Sequence, residues 1–203
     1  MKEKPWYPIA YMFVVTAVPS ALLIGLSEAT RERVRMNERI AFEHAVLLAV
    51  DPALPADMPK KDIHERFVEQ VDTNTADAAG ALKHMRDGAV AAYALPIAGQ
   101  GFWAPIKGVV AVDAGRQRIL GISFYEQSET PGLGAEIAQD WFRVQFTNVA
   151  MDAGPAPVPF KYKGKAGGKI DAVTGGTQTS TRLERFLNAQ LAAWRERMEG
   201  GDR

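Results

Sequence analysis

The pattern of apolar and polar residues begins with a long uncharged segment. Residues 7–26 read Y-P-I-A-Y-M-F-V-V-T-A-V-P-S-A-L-L-I-G-L and contain no charged side chain. A helix of about 20 residues rises about 30 Å, which matches the thickness of the hydrocarbon core of a membrane. Trp6, Tyr7 and Tyr11 stand at its start, where aromatic rings prefer the membrane interface. The pattern therefore predicts a transmembrane helix over residues 7–26, preceded by an N-terminal tail of residues 1–6.

Two other interpretations of this segment stay open. A cleaved signal peptide has a shorter apolar core and a small-x-small cleavage site, and no A-x-A sequence follows the segment. A buried helix of a soluble domain is the other interpretation, although such long uncharged runs are uncommon there. Basic residues flank the segment on both sides: Lys2 and Lys4 before it, and Arg31, Arg33, Arg35 and Arg39 after it. Counting them would place the C-terminal part in the cytoplasm, but large domains translocate with limited regard to charge, so composition does not decide the side.

The next part of the chain has a helical pattern. Residues 27–50 combine mixed charges with the apolar run A-F-E-H-A-V-L-L-A-V, and a proline-rich stretch follows. A second short helix is predicted over Lys61 to Val71, because Ile63, Phe67 and Val71 recur at helical spacing.

The middle of the chain has the pattern of strands. Three apolar runs occupy residues 89–97, 106–112 and 118–125, and Asp113 to Gly115 make a good hairpin connection between the last two. We therefore predict an α+β fold, in which an antiparallel sheet has helices packed to one side and follows one N-terminal transmembrane helix.

A last helix is predicted near the C-terminus. Its apolar residues share one helical face: Leu183, Phe186, Leu187, Leu191 and Trp194. Thr181 and Glu184 fit a capping box, which predicts that the helix begins at Ser180 or Thr181.

Composition excludes several kinds of site. Lys plus Arg and Asp plus Glu both number 24, so no net basic charge points to nucleic acid. The chain has no cysteine and therefore no disulfide, thiolate iron–sulfur site or cysteine nucleophile. His44, His64 and His84 are widely spaced, so we expect no metal site. Neither a Walker loop nor a complete dinucleotide fingerprint occurs, so we expect no nicotinamide site.

The stretch D-A-V-T-G-G-T-Q-T-S, residues 171–180, places hydroxyls and two glycines just ahead of the last predicted helix. Free N–H groups and the positive end of the helix dipole favour an anion there. Gly175 and Gly176 allow positive φ and leave little bulk around Thr177. These residues indicate an accessible hydroxyl beside an anion-friendly helix end, but alone they do not distinguish a phosphate site from an ordinary helix N-terminus.

The same stretch resembles the D-x-x-[ST]-G-A-T flavinylation signature of FMN-binding domains. These domains occur in the NqrC component of the sodium-pumping NADH:quinone reductase (Nqr) and in the RnfG component of the related Rnf complex. The resemblance implies that Thr177 forms a phosphoester with FMN, attached by a dedicated flavin transferase that uses FAD. Asp171 and Thr174 match the other fixed positions, whereas Gly176 replaces the usual alanine.

Two further motifs support the resemblance, in the same order as in the family. S-E-T-P-G-L-G-A-E-I followed by W-F-R-V-Q-F, within residues 128–146, is similar to the family's E-T-P-G-L-G segment and its trailing aromatic motif. G-Q-G-F-W-A-P-I-K-G-V-V-A, residues 99–111, resembles the glycine-aromatic start of a strand in the reductase component. The implied cofactor-binding residues are Thr177, Asp171, Thr174, Gly175, Gly176, Glu129, Thr130, Leu133, Gly134 and Trp103. Of these, Trp103 could instead be an interface or core aromatic, and Glu129 could serve only to fix its own loop.

The resemblance implies a protein that relays single electrons through covalent FMN as part of a larger complex. It would be anchored in the bacterial inner membrane, with an FMN-binding domain of residues 27–203 outside the cytoplasm. Its partners would be other subunits of a membrane electron-transport complex, the flavin transferase and membrane lipid, and NADH would be oxidised by another subunit. The sequence leaves the Nqr and Rnf types both open. An alternative is a membrane-anchored extracytoplasmic binding or sensory module without flavin.

Overall fold

The apolar segment forms part of one long helix. In the computed structural model, which describes residues 6–55, 57–76, 78–164 and 167–201, helix α1 runs without interruption over Trp6–Val50. It is long and apolar enough to cross a membrane, and none of the residues in its most apolar stretch is buried. The chain divides into two units, one ending at Arg39 and the other beginning at Ile40. The predicted helix of residues 27–50 is thus continuous with the apolar segment, because no helix-breaking residue separates them.

The unit that begins at Ile40 is built around a six-stranded antiparallel sheet with the strand order β1-β2-β3-β4-β5-β6. Its strands are β1 (Val71–Asp72), β2 (Leu82–Arg86), β3 (Ala89–Gln100), β4 (Pro105–Asp113), β5 (Arg118–Glu126) and β6 (Val149–Ala150). Two short strands, β7 (Phe160–Lys161) and β8 (Ile170–Asp171), form a separate parallel pair. The predicted antiparallel sheet is confirmed.

The remaining elements are short except for the last. They are α2 (Lys60–Gln70), a 3₁₀ turn (Gly134–Ala138), α3 (Asp140–Arg143), a second 3₁₀ turn (Val144–Phe146) and α4 (Thr177–Gly201). The prediction for α2 is correct to within one residue at each end. The predicted hairpin connection is also present, where the Asp113 carboxylate accepts the N–H groups of Gln117 and Arg118 at 2.8 and 2.7 Å.

The sheet buries both of its faces, which corrects the prediction that helices lie to one side only. In β4, Val110 and Val112 belong to one buried cluster, whereas Val109 and Ala111 belong to another. This alternation follows from the two-residue period of a strand. The first cluster contains the apolar face of α4, and the second contains residues 40–49 of α1 together with part of α2. A strand buried on both faces has a continuous apolar run, and β4 has such a run.

Helix α4 begins at Thr177, so the predicted start at Ser180 or Thr181 is wrong. The Ser180 N–H donates to the Gly176 carbonyl at 2.9 Å, and its hydroxyl accepts the Val173 N–H at 3.0 Å. The predicted capping box does not form, because the Glu184 carboxylate accepts the Phe160 N–H and the Tyr162 hydroxyl at 2.8 and 2.7 Å. These polar side chains tie α4 to the strands and loops before it.

His84 makes the stability of this unit depend on pH. The residue is 6% exposed, and its Nδ1 has no hydrogen-bond partner among the described residues. Burial, and secondarily the charge of Arg86, lowers the pKa of His84 from its usual 6.5, against a weaker opposite effect of Asp51. As the pH falls below about 6.5, the unfolded chain therefore takes up a proton on His84 before the folded chain does. The stability that depends on a neutral His84 is fully present above that pH and is lost as the pH falls.

We expect that replacing His84 by leucine removes part of the acid sensitivity. Between about pH 7.5 and about pH 5.5, the free energy of unfolding of the wild-type chain should fall more than that of His84→Leu. Urea unfolding of the detergent-solubilised chain at both pH values measures the difference. His64→Gln serves as the control, since it removes a histidine that already pairs with Glu43 at 2.9 Å. Parallel pH curves for the wild type and His84→Leu would contradict the prediction.

Candidate functional site

Three separated segments of the chain line one cleft of about 300 Å³. They are residues 102–103, four residues of the loop 129–134, and residues 175–179. The first segment follows β3, the second ends at the first residue of the first 3₁₀ turn, and the third contains the start of α4. The fold therefore brings together the three motifs that are far apart in the sequence.

Eight of the ten residues predicted for the site line this cleft. They are Trp103, Glu129, Thr130, Leu133, Gly134, Gly175, Gly176 and Thr177. The cleft also contains Phe102, Gln178 and Thr179, which the sequence analysis did not assign to it. Phe102 and Gln178 are the sequence neighbours of Trp103 and Thr177, and this proximity could have predicted them. Thr179 was expected to precede the helix and not to lie in its first turn.

Asp171 and Thr174 do not line the cleft. Asp171 lies on β8 with an exposed side chain, 3.4 Å from the Lys161 ammonium, and its N–H donates to the Gln145 side chain at 2.7 Å. Thr174 is exposed in the turn that precedes α4. The first two fixed positions of the signature are therefore on the surface and do not line the cleft.

Thr177 is exposed and is the first residue of α4. Within the described part of the chain, the N–H groups of residues 177–179 have no protein acceptor, as is usual for the first turn of a helix. The preceding Gly175 has φ +79°, and a Cβ at this position would lie only 2.7 Å from Leu133 Cδ2. The backbone thus turns sharply beside the loop and presents the Thr177 hydroxyl at the positive end of the helix dipole.

Gly176 is matched to its surroundings in this chain. A Cβ at position 176 would lie 2.9 Å from Cγ1 of the buried Val173 and 3.2 Å from the Leu133 carbonyl oxygen. Val173 therefore lies where the methyl group of the usual alanine would need room. The departure from the signature is explained by packing against Val173.

Glu129 is a buried carboxylate in the wall of the cleft, with 6% of its surface exposed. Its Oε1 accepts the Trp103 N–H at 3.0 Å, and its Oε2 accepts the Thr179 hydroxyl at 2.6 Å. Two glycines leave it no spare room, since a Cβ at Gly101 would lie 2.5 Å from Oε1 and a Cβ at Gly134 would lie 2.8 Å from Oε2. Glu129, which belongs to the loop 129–134, therefore contacts both other segments of the cleft.

Trp103 forms an aromatic wall of the cleft and is 67% exposed, so it is not a core aromatic. Its indole Nε1 donates to the Thr130 hydroxyl at 3.1 Å. Phe102 packs edge-on against it with ring centroids 4.9 Å apart, and the Arg182 guanidinium lies 5.9 Å from the Phe102 ring centre. The cleft thus combines exposed aromatic surface, an exposed hydroxyl and N–H groups that have no acceptor among the described residues, which suits a planar aromatic ligand that carries a phosphate.

Residues 101–192, which include all three segments of the cleft, match the FMN-binding domain family. The matched region is slightly less than half of the 203-residue chain, and over that region the chain is similar to the family. Its residues also fit FMN physically, because the aromatic wall can face a flavin ring and the first turn of α4 can face a phosphate. The cleft volume lies at the lower end of the usual range for small-molecule sites, about 300 to 1,000 Å³, so a bound ring would be partly exposed.

Two similar curated proteins are components of the Na(+)-translocating NADH-quinone reductase. The chain is 30% identical over 150 residues to the NqrC component of this reductase from Chlamydia caviae, covering 64% of this chain and 47% of that protein. It is 34% identical over 103 residues to the same component from Neisseria meningitidis serogroup A, covering 48% and 40%. The matched regions thus span less than half the length of these relatives.

Two solved structures have the same fold. The NqrC component of the Na(+)-translocating NADH-quinone reductase from Parabacteroides distasonis superposes with a TM-score of 0.69 at 23% identity, covering 83% of this chain and 96% of that chain. NqrC of Shewanella oneidensis superposes with a TM-score of 0.61 at 18% identity, covering 82% and 99%. These likenesses support the α+β fold of the FMN-binding domain.

We expect that Gly176→Ala destabilises this domain because of Val173. Overpacking of a buried site typically costs about 1 to 3 kcal/mol, and the clash should be smaller after Val173→Ala. A double-mutant cycle of Gly176→Ala and Val173→Ala, measured by urea unfolding, tests this coupling. The cost of Gly176→Ala should be lower in the Val173→Ala background. Strictly additive free energies would show that Val173 does not explain the glycine.

Proposed function

We propose that this chain carries FMN on Thr177 through a phosphoester and relays electrons in a membrane oxidoreductase of the Na⁺-translocating NADH–quinone reductase type. The observation that carries the proposal is the exposed Thr177 hydroxyl at the mouth of an aromatic-lined cleft in an FMN-binding domain. The relatives favour the Nqr type over the Rnf type. Covalent attachment would keep the cofactor in place while the chain exchanges electrons with neighbouring subunits.

Attachment would use FAD and a separate flavin transferase. The Thr177 oxygen forms a bond to the phosphorus of the FMN half of FAD, the bond between the two phosphates breaks, AMP leaves, and the hydroxyl proton is released. The reaction is balanced without an oxidant or a reductant. Thr177 is thus a site of attachment and takes no part in later electron transfer.

The other cleft residues would hold the attached group. The free N–H groups of the first turn of α4 and its dipole favour the phosphate. Trp103 and Leu133 offer apolar surface to the ring, and Gly175 keeps bulk away from it. Asp171 and Thr174 are exposed outside the cleft, so we assign them to attachment of the flavin rather than to holding its ring. Bound FMN supplies the redox chemistry, and the chain sets its exposure and surroundings.

The apolar part of α1 would anchor the chain in the bacterial inner membrane, in contact with lipid. Its length and composition allow residues 7–26 to span the hydrocarbon core. We propose that the FMN-binding domain lies on the periplasmic side, as in the family that it resembles, although the flanking arginines alone would favour the cytoplasm. Its partners would be other subunits of the complex, one of which would oxidise NADH, and the transferase would act during maturation.

Replacing Thr177 by alanine should abolish covalent flavin. The wild-type chain, co-expressed with the flavin transferase, should give flavin fluorescence on a denaturing gel and gain the mass of FMN less one water. Thr177→Ala should lose both signals, since no oxygen is left to form the ester. Thr181→Ala is the control, because Thr181 is a hydroxyl on the same helix that does not line the cleft.

Covalent fluorescence in Thr177→Ala would contradict the assignment of Thr177. A wild-type chain that takes no flavin from FAD and an active transferase would contradict the proposed function and favour the flavin-free binding or sensory module.

The proposed topology can be tested with single cysteines, because the chain has none of its own. Glu65 lies on α2 with 64% of its side chain exposed, so a cysteine there can be reached by reagents. In spheroplasts, a membrane-impermeant maleimide should label Glu65→Cys but label Lys2→Cys only after the membrane is permeabilised. The reverse pattern would place the domain in the cytoplasm.

A further inference from the structure

One buried carboxylate connects the proposed attachment site to the aromatic wall of the cleft. We propose that Glu129 is the positioning residue of this site: it acts through Thr179 and Trp103 and holds Thr177 in the orientation in which its hydroxyl is modified. This inference rests on the proposed function and adds to it the residue that prepares the acceptor. It assigns to Glu129 no contact with the flavin.

The connection to the attachment site passes through Thr179. This residue lies two positions after Thr177, in the first turn of α4, and is 3% exposed. Its hydroxyl donates to Glu129 Oε2 at 2.6 Å. Because the N–H groups of a first helical turn lack intrahelical acceptors, this turn frays unless side chains hold it. The bond from Thr179 therefore fixes the turn that presents Thr177.

The bond between Glu129 and Thr179 is tightly enclosed. A Cβ at Gly134 would lie 2.4 Å from the Thr179 hydroxyl oxygen and 2.8 Å from Glu129 Oε2. Gly134 is itself buried at the start of the 3₁₀ turn. Since no larger residue fits at position 134, the loop and the helix approach as closely as their backbones allow.

The connection to the aromatic wall passes through the other oxygen. Glu129 Oε1 accepts the Trp103 N–H at 3.0 Å, and the Trp103 indole in turn donates to the Thr130 hydroxyl at 3.1 Å. The two oxygens of one carboxylate thus set the distance between the wall and the first turn of α4. The cleft lies between these two features.

The role of Glu129 is that of a hydrogen-bond acceptor. Both described contacts come from donors, and Glu129 forms no ion pair with a lysine, arginine or histidine among the residues that the structure describes. A glutamine can keep both contacts, because its oxygen accepts one donor and its Nε2 can donate to a Thr179 hydroxyl that turns to accept. An alanine keeps neither. Glu129→Gln therefore tests whether the negative charge is needed, and Glu129→Ala tests whether the side chain with its two contacts is needed.

The test is the initial rate of flavin incorporation from FAD into the full unmodified chain by the purified transferase. Glu129→Ala and Thr179→Val should each be at least about tenfold slower than the wild type, since each breaks the bond between Glu129 and Thr179. Glu129→Gln and Thr179→Ser should stay within about threefold of the wild type, because they can retain that bond.

A matched control separates positioning from general loss of stability. Asn188 is a buried polar residue on the same helix, and its side chain pairs with the N–H and the carbonyl of Val158 at 2.6 and 2.9 Å. It does not line the cleft. Asn188→Ala should lower the thermal midpoint as Thr179→Val does, yet keep the wild-type rate of incorporation.

Hydrogen–deuterium exchange of the N–H groups of residues 180–182, the first of which donates to the Gly176 carbonyl, gives a readout that does not depend on flavin. In the unmodified chain, the exchange should be faster in Glu129→Ala and Thr179→Val than in the wild type, Glu129→Gln and Asn188→Ala.

Wild-type incorporation rates in Glu129→Ala, or equal slowing in Asn188→Ala, would overturn the positioning role. A rate in Glu129→Gln as low as in Glu129→Ala would also overturn it, since charge would then matter. If the wild type takes no flavin, the proposed function fails, whereas unchanged exchange in Glu129→Ala refutes the positioning role alone.

Discussion

The cleft depends on a single hydrogen bond between residues that are 50 positions apart, Glu129 and Thr179. This bond closes the loop 129–134 onto the first turn of α4, and the second oxygen of the same carboxylate holds the N–H of Trp103. A buried carboxylate is costly to leave without donors, so the two contacts of Glu129 favour the arrangement in which the three segments lie together. The same arrangement that satisfies the carboxylate leaves the Thr177 hydroxyl exposed beside the cleft.

The rest of the fold keeps this arrangement rigid. Helix α4 packs its apolar face into one buried cluster with the sheet, and the second cluster covers the opposite face of the same strands. Buried polar side chains on α4, such as Asn188, fix the loops that precede the helix. The first turn of α4 can therefore carry a modified residue at its exposed end without loss of the packing further along the helix.

Much of this architecture could be predicted from the sequence. Apolar periodicity located α2 and the long strands, and the resemblance of three separated motifs to those of a known family identified most of the cleft. The start of α4 was misplaced, because Thr181 and Glu184 have the spacing of a capping box, but the Glu184 carboxylate accepts from Phe160 and Tyr162 instead. The role of Thr179 and the burial of the second sheet face depend on contacts between distant segments, which local patterns do not encode.

Fragmentation mass spectrometry of the mature protein tests most directly whether Thr177 alone carries FMN. Trypsin should release residues 170–182, a peptide that contains Thr174, Thr177, Thr179, Ser180 and Thr181, so the mass of the whole peptide cannot identify the modified hydroxyl. We expect an increase equal to FMN less one water on fragments that contain Thr177, with the other four hydroxyls unmodified. An unmodified peptide from the native membrane, or flavin on any of the other four residues, would contradict it.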